Sequence, residues 1–106
     1  MSQRIKKILT LFKKEIKGLY GKKVKRVLLY GSWARGTAHE ESDIDIVVVI
    51  NAHIIPGKEI DKMIGIITEI NLKYEVLISV YPISVRNFSQ INSPLLLNIR
   101  KEAIAI

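Results

Sequence analysis

Two aliphatic runs separated by a polar loop constrain the fold of this chain most strongly. Val27–Tyr30 precedes the loop and Ile46–Ile50 follows it. Short apolar runs rich in branched residues and bounded by turn-forming residues are typical of buried strands. The loop begins with Gly31-Ser32 and ends with Ser42-Asp43-Ile44-Asp45. We therefore predict two strands whose connecting loop lies at the end of a sheet, where ligands commonly bind.

The first half of this loop has the residues of a phosphate site. Gly31 allows a sharp turn and a close approach of the backbone to an anion. Ser32 offers a hydroxyl and an N–H group, and a short helix over residues 32–35 would point further N–H groups at the same place. Arg35 would add positive charge or brace the turn. We expect Ser42 to close the loop through a local side-chain hydrogen bond.

The second half of the loop carries two carboxylates spaced i, i+2. Asp43 and Asp45 fall on one face of the second strand, with Cβ atoms roughly 6 to 7 Å apart. Taken alone, the Gly31-Ser32 pair also fits an ordinary turn, and Asp43 with Asp45 also fits a solvated acidic pair. Carboxylates at the mouth of an aliphatic strand are costly unless something compensates their charge. The pair therefore predicts a site for one Mg²⁺ ion or for two bridged ions.

The segment Gly31-Ser32-Trp33-Ala34-Arg35-Gly36, followed by Ser42-Asp43-Ile44-Asp45, resembles the motif of the minimal nucleotidyltransferases, in the DNA polymerase beta-like superfamily. The resemblance covers nearly the whole chain and includes the closing segment at residues 99–103. It implies a palm-like nucleotidyltransferase fold and transfer of a nucleoside monophosphate, most simply AMP from ATP, to a hydroxyl group. It also implies that two Mg²⁺ ions take part and that pyrophosphate leaves.

By this resemblance, Gly31 and Ser32 would hold the β and γ phosphates with Arg35 beside them, and Asp43 and Asp45 would be the catalytic metal ligands. Family members usually carry a third carboxylate on a later strand, which helps to activate the attacking hydroxyl.

The third strand is predicted at Tyr74–Tyr81, ended by Pro82, and Ser79 stands where the third carboxylate is usual. Glu75 lies four residues earlier on the same face and is the candidate for the third catalytic carboxylate. The alternative interpretation is that Glu75 is an exposed glutamate at the strand end with no catalytic role. A catalytically weak or silent protein that acts by binding therefore remains the second hypothesis.

The resemblance also implies a partner. Minimal nucleotidyltransferases often act as the antitoxin of a pair with a HEPN-domain protein, which would then carry the acceptor hydroxyl. The residues themselves add a reason for contacts, because both faces of the strand at Ile46–Ile50 are apolar and must be covered. We expect either a homo-oligomer or another protein to cover part of the sheet, or residues 84–102 to do so.

The rest of the chain fits one small domain over residues 1–106, of which 48% are hydrophobic. Apolar periodicity predicts helices near residues 5–19 and 60–70, and Ser93-Pro94 predicts the start of another. A helical turn after Ser84 and a short strand within 103–106 complete the prediction. The fold class is α+β, a small mixed sheet with flanking helices.

Composition and charge bear on location and on a third hypothesis. The chain has no cysteine and no apolar run long enough for a membrane span, and its basic N-terminal segment does not resemble a signal peptide, so we expect a cytoplasmic protein. Residues 1–26 contain ten Lys or Arg and one Glu, which gives this segment a net charge of +9, whereas the whole chain carries +7. This predicts either a solvated lysine face or a basic surface, as in a nucleic-acid-binding module.

Overall fold

A computed structural model describes residues 1–106 as a four-stranded sheet with helices on both faces. The strands are β1 (Val24–Tyr30), β2 (Ile44–Ile50), β3 (Ile78–Ser84) and β4 (Ile104–Ala105), in the order β3-β2-β1-β4. Strand β1 is antiparallel to β2 and β4, whereas β2 and β3 are parallel. The predicted α+β class with a mixed sheet is therefore confirmed.

Five α-helices and one 3-10 turn connect the strands. They are α1 (Gln3–Tyr20), the 3-10 turn Gly21–Lys23, α2 (Ser32–Arg35), α3 (Pro56–Tyr74), α4 (Val85–Gln90) and α5 (Pro94–Glu102). Helix α5 begins as the sequence predicts, since Ser93 Oγ accepts the N–H of Leu96 at 3.2 Å. Ser84 caps α4 in the same way through the N–H of Asn87.

Helices α1 and α3 cover one face of the sheet. Their apolar stripes form a core cluster of 16 buried residues with the inward residues of the strands, in which Phe12 and Met63 are fully buried with Leu29 and Ile46. Burial of such side chains is the main force that holds small domains together. The only buried charged residue is Glu59, whose carboxylate accepts a hydrogen bond from Tyr20 Oη at 2.8 Å.

The opposite face of the sheet is covered by the C-terminal helices. Leu28 and Val47 pack in a second cluster with Phe88 of α4 and with Leu96 and Ile99 of α5. Of the two explanations that the sequence left open for this apolar face, the one that assigns its cover to residues 84–102 is therefore correct. No second chain is needed to bury Val47, which is fully buried.

The predicted bounds of the third strand are wrong. Helix α3 continues to Tyr74, Glu75 ends it with a left-handed φ of 52°, and β3 begins only at Ile78. The strand then runs through Pro82, which the sequence interpretation treated as its end. Proline is tolerated there because β3 is an edge strand, where a missing N–H interrupts no pairing on the outer side.

None of the helices is long and apolar enough to cross a membrane.

Candidate active site

The turn after β1 is built around Gly31. This residue has a positive φ of 74°, and its carbonyl oxygen accepts the N–H groups of Ala34 and Arg35 at 3.1 Å each. Gly36, also at positive φ, closes the helical turn by donating its N–H to the carbonyl of Ser32. The short helix predicted over residues 32–35 is therefore present as α2.

The Asp45 carboxylate lies directly against the backbone of this turn. A Cβ atom placed on Gly31 would overlap Asp45 Oδ2 and would come within 3.2 Å of Cγ. Asp45 reaches this position because it pairs with Tyr30, the residue before Gly31, across the antiparallel strands. Only glycine leaves room for the carboxylate at this point while also adopting the required φ.

Asp43 and Asp45 form a close acidic pair at the start of β2. Burial raises the pKa of the Asp45 carboxyl, the neighbouring Asp43 charge raises it further, and Arg35 partly offsets both effects. Two carboxylates that repel each other in this way gain from a shared cation. Carboxylate oxygens are also ligands that Mg²⁺ accepts, with one or two of them usually supplemented by substrate phosphates. The residues present therefore fit a divalent cation.

Arg35 connects α2 to the end of the chain's last helix. Its Nη1 atom lies 3.8 Å from Glu102 Oε2, and both side chains are about half exposed. The guanidinium is also near enough to Asp45 to offset part of the rise in the pKa of that carboxyl. Both roles expected of Arg35, positive charge and bracing of the turn, are compatible with this position.

The loop between α2 and β2 is held by Ser42, as the sequence predicts. Ser42 Oγ accepts the N–H of His39 at 3.0 Å, and the N–H of Ser42 donates to the His39 carbonyl at 2.9 Å. Trp33 donates its Nε1–H to the Ser42 carbonyl at 3.2 Å, and its ring packs against the larger core cluster. These contacts fix the loop that places Asp43 ahead of β2.

The expected place of Glu75 is wrong, because it does not lie on β3. It is an exposed residue at the C-terminal cap of α3, so the face-sharing that made it a candidate does not exist. The residue of β3 that pairs with Asp45 is Ser79. No group of three His, Cys, Asp or Glu side chains comes together as a metal site anywhere in the chain. The acidic set at this site is therefore Asp43 and Asp45.

Tyr30 is a neighbour of Asp45 that the sequence analysis did not place beside the acidic pair. It packs against the second core cluster and pairs with Asp45 across the antiparallel strands. Burial, together with the nearby Asp45 and Tyr81, raises the pKa of its hydroxyl. The signal available in the sequence was its position directly before Gly31. The pairing with Asp45 depends on strand register, which the sequence alone did not give.

Comparison with known proteins agrees with this geometry. Residues 5–106 match the nucleotidyltransferase domain family. The chain therefore belongs to the nucleotidyltransferases, which are transferases, and the resemblance stated from the sequence motif is confirmed.

Two relatives are similar to this chain over part of its length. The chain is 42% identical over 73 residues to a candidate protein adenylyltransferase of Methanocaldococcus jannaschii, a match that spans 68% of this chain and 72% of that protein. It is 44% identical over 46 residues to the protein adenylyltransferase MntA of Thermococcus cleftensis, which is 43% of this chain and 44% of MntA. The matched part is thus less than half of MntA.

A solved structure shares the fold. The crystal structure of a toxin-antitoxin with AMP-PNP superimposes on 89% of this chain and 68% of that one, with a TM-score of 0.62 and 15% sequence identity. At 15% sequence identity this similarity shows a shared fold alone.

Proposed function

We propose that this protein is a Mg²⁺-dependent nucleotidyltransferase that moves AMP from ATP to a hydroxyl group of a partner protein. The observation that carries the proposal is the contact of Gly31 with the Asp45 carboxylate beside Asp43. It brings a turn that would suit phosphates and a pair of carboxylates that would bind a cation together at one end of the sheet.

In this reaction the acceptor oxygen attacks the α-phosphorus, the bond from that phosphorus to the bridging oxygen of the β-phosphate breaks, and pyrophosphate leaves. Mg²⁺ held by Asp43 and Asp45 would neutralise charge on the phosphates. The main chain at Gly31 and Ser32, with the Arg35 guanidinium, would orient the β and γ phosphates. The hydroxyl proton passes to water, because β3 presents Ser79 in place of a third carboxylate.

Two findings support ATP and a protein acceptor over other choices. Relatives in Methanocaldococcus jannaschii and Thermococcus cleftensis are named as protein adenylyltransferases, and a protein of the same fold was crystallised with AMP-PNP as part of a toxin-antitoxin. We infer that the partner is a toxin of the HEPN class and that this chain acts as its antitoxin.

A second candidate function follows from Ser79. Because β3 offers no carboxylate beside Asp45, the chain could neutralise its partner by binding alone, with little transfer. The two functions make opposite predictions for the acidic pair. Transfer requires Asp43 and Asp45, whereas neutralisation by binding does not.

The experiment is Mg²⁺-dependent transfer from α-labelled ATP, GTP, CTP or UTP to proteins that co-purify with this chain. The double variant Asp43→Asn/Asp45→Asn is compared with Asp61→Asn, which removes a carboxylate from the exposed surface of α3. Label from ATP on one partner, lost in the double variant and kept in Asp61→Asn, is the expected result. Absence of label together with equal partner binding by all variants would overturn the catalytic proposal in favour of the binding one.

A further inference from the structure

We propose that the first residues of β1, which β4 does not cover, carry a second site that binds the phosphodiester backbone of a nucleic acid. The site is a cleft of about 250 Å³ between α1 and β1, and four basic residues are among those that line it. Lys13 and Lys17 come from α1, and Lys25 and Arg26 come from β1. The Arg26 guanidinium lies 5.7 Å from the centre of the Phe88 ring of α4. Val24, Val27 and residues 105–106 complete the lining. We call it the basic cleft.

The sequence alone placed these cations in one charged segment, whereas the structure brings them to one cleft. A β-bulge between Val24 and Arg26 adds Lys25 as an extra residue to the pairing with β2. Bulges of this kind turn a side chain out of the regular alternation. One turn of α1 separates Lys13 from Lys17, so both lysines project from the same side of the helix.

No Asp or Glu side chain lines the basic cleft. The two ion pairs of the chain, Arg35 with Glu102 and Lys62 with Glu59, lie elsewhere. Glu15, the single acidic residue among residues 1–26, lines a different cleft with Glu69 and Lys73. Lys13 is already bonded within the cleft, because it donates to the main-chain oxygen of Ile106 at 2.6 Å. Lys17 and Lys25 are exposed, so their charges face solvent.

The composition of the cleft favours nucleic acid over an acidic protein. Lysine is depleted in protein–protein interfaces, which instead bury aromatic and apolar anchors. The basic cleft contains no aromatic residue. Phosphate oxygens, in contrast, are contacted mainly by Lys and Arg, through charge and without reading the base. The absence of a stacking platform also indicates binding that does not depend on sequence.

The basic cleft is separate from the candidate active site. Lys25 and Tyr30 are five residues apart on β1, which is about 17 Å along an extended strand. Tyr30 pairs with Asp45, so the cleft lies at the opposite end of β1 from the acidic pair. Nucleic-acid binding can therefore be removed without changing any residue proposed for transfer, and its failure would not affect the proposed function.

The test is fluorescence anisotropy with a labelled single-stranded RNA and a labelled DNA duplex, each of about 12 nucleotides or base pairs, and with a labelled polyglutamate peptide. Two phosphate contacts, from Lys17 and Lys25, predict that affinity for the duplex falls about 12-fold between about 50 and 200 mM salt, and affinity for the single strand about 7-fold. The RNA and DNA arms identify which backbone is preferred.

Lys17→Gln/Lys25→Gln is the informative variant, because both side chains are exposed and free of hydrogen bonds. We expect it to weaken binding about tenfold or more at about 50 mM salt and to reduce the slope of log affinity against log salt by about 1.8 for the duplex. The matched control, Lys58→Gln/Lys101→Gln, removes the same charge from α3 and α5 and should keep the slope. Equal losses in both variants, no nucleic-acid binding at low salt, or equally tight polyglutamate binding through Lys17 and Lys25 would overturn the proposal.

Discussion

Asp45 and Ser79 occupy paired positions on the parallel strands β2 and β3. A carboxylate at position 79 would complete a set of three beside Asp43, but the chain has a hydroxyl there. We predict that Ser79→Asp raises the rate of AMP transfer about tenfold or more, because it supplies a group that can accept the hydroxyl proton. The rate of pyrophosphate release in the presence of the partner measures this effect.

The control for that variant is Ser79→Asn, which has the same shape without the charge. It should leave the rate at the wild-type level. If Ser79→Asp gives no more transfer than Ser79→Asn, the position next to Asp45 is not the one that limits catalysis.

Gly31→Ala should weaken ATP binding and slow transfer. The new Cβ overlaps Asp45 Oδ2, and alanine is strained at a φ of 74°. We expect a loss of activity of about 10²-fold from the displaced carboxylate and a loss of about 1 to 2 kcal/mol in the free energy of unfolding. Transfer assays and chemical denaturation measure the two effects.

Gly36→Ala separates strain from overlap. Gly36 has a φ of 78°, but a Cβ atom there would meet nothing within 4 Å. This variant should lose about 1 to 2 kcal/mol of stability and keep ATP binding. Equal loss of ATP binding in both variants would contradict the role given to the contact with Asp45.

Glu75→Gly should stabilise the protein by about 0.5 to 1 kcal/mol without changing transfer. Glu75 ends α3 at a φ of 52°, a conformation that glycine adopts without the steric cost of a β-carbon. Glu75→Gln, which keeps the β-carbon, should leave both stability and transfer as they are. A loss of transfer in Glu75→Gln would restore Glu75 as a functional residue despite its position outside β3.

The pH dependence of Asp45 gives a further prediction. Because its pKa is raised by burial and by Asp43, the folded state binds this proton more readily than the unfolded chain. The carboxyl therefore contributes stability at low pH, which is lost as pH rises through the raised pKa. Without metal, Asp45→Asn should raise the melting temperature near pH 7 and should lose this advantage in acid.

Differential scanning fluorimetry in EDTA at several pH values measures this, with Asp61→Asn as the surface control. The addition of Mg²⁺ should then stabilise the wild type more than Asp45→Asn. The same melting temperature for wild type and Asp45→Asn across the pH range would show that the ionised Asp45 carboxylate does not destabilise the folded protein.

The prediction for the third strand failed for a specific reason. Local pattern cannot tell whether Tyr74–Leu77 continues a helix or begins a strand, since both need apolar residues. In the structure α3 packs on the sheet and remains helical as far as Tyr74. The place of β3 at the sheet edge then made Pro82 acceptable within the strand, and edge position is a property of the whole sheet.

The sequence by itself determined the strand–turn–strand unit, the helical turn at residues 32–35 and the family, because side-chain alternation, glycine turns and capping act over a few neighbouring residues. Only the tertiary structure decided that Asp45 lies against Gly31, that Ser79 rather than Glu75 is its neighbour, and that residues 85–102 cover the second face. These relationships depend on strand register and on which segments pack together, and both are set by contacts between residues far apart in the chain.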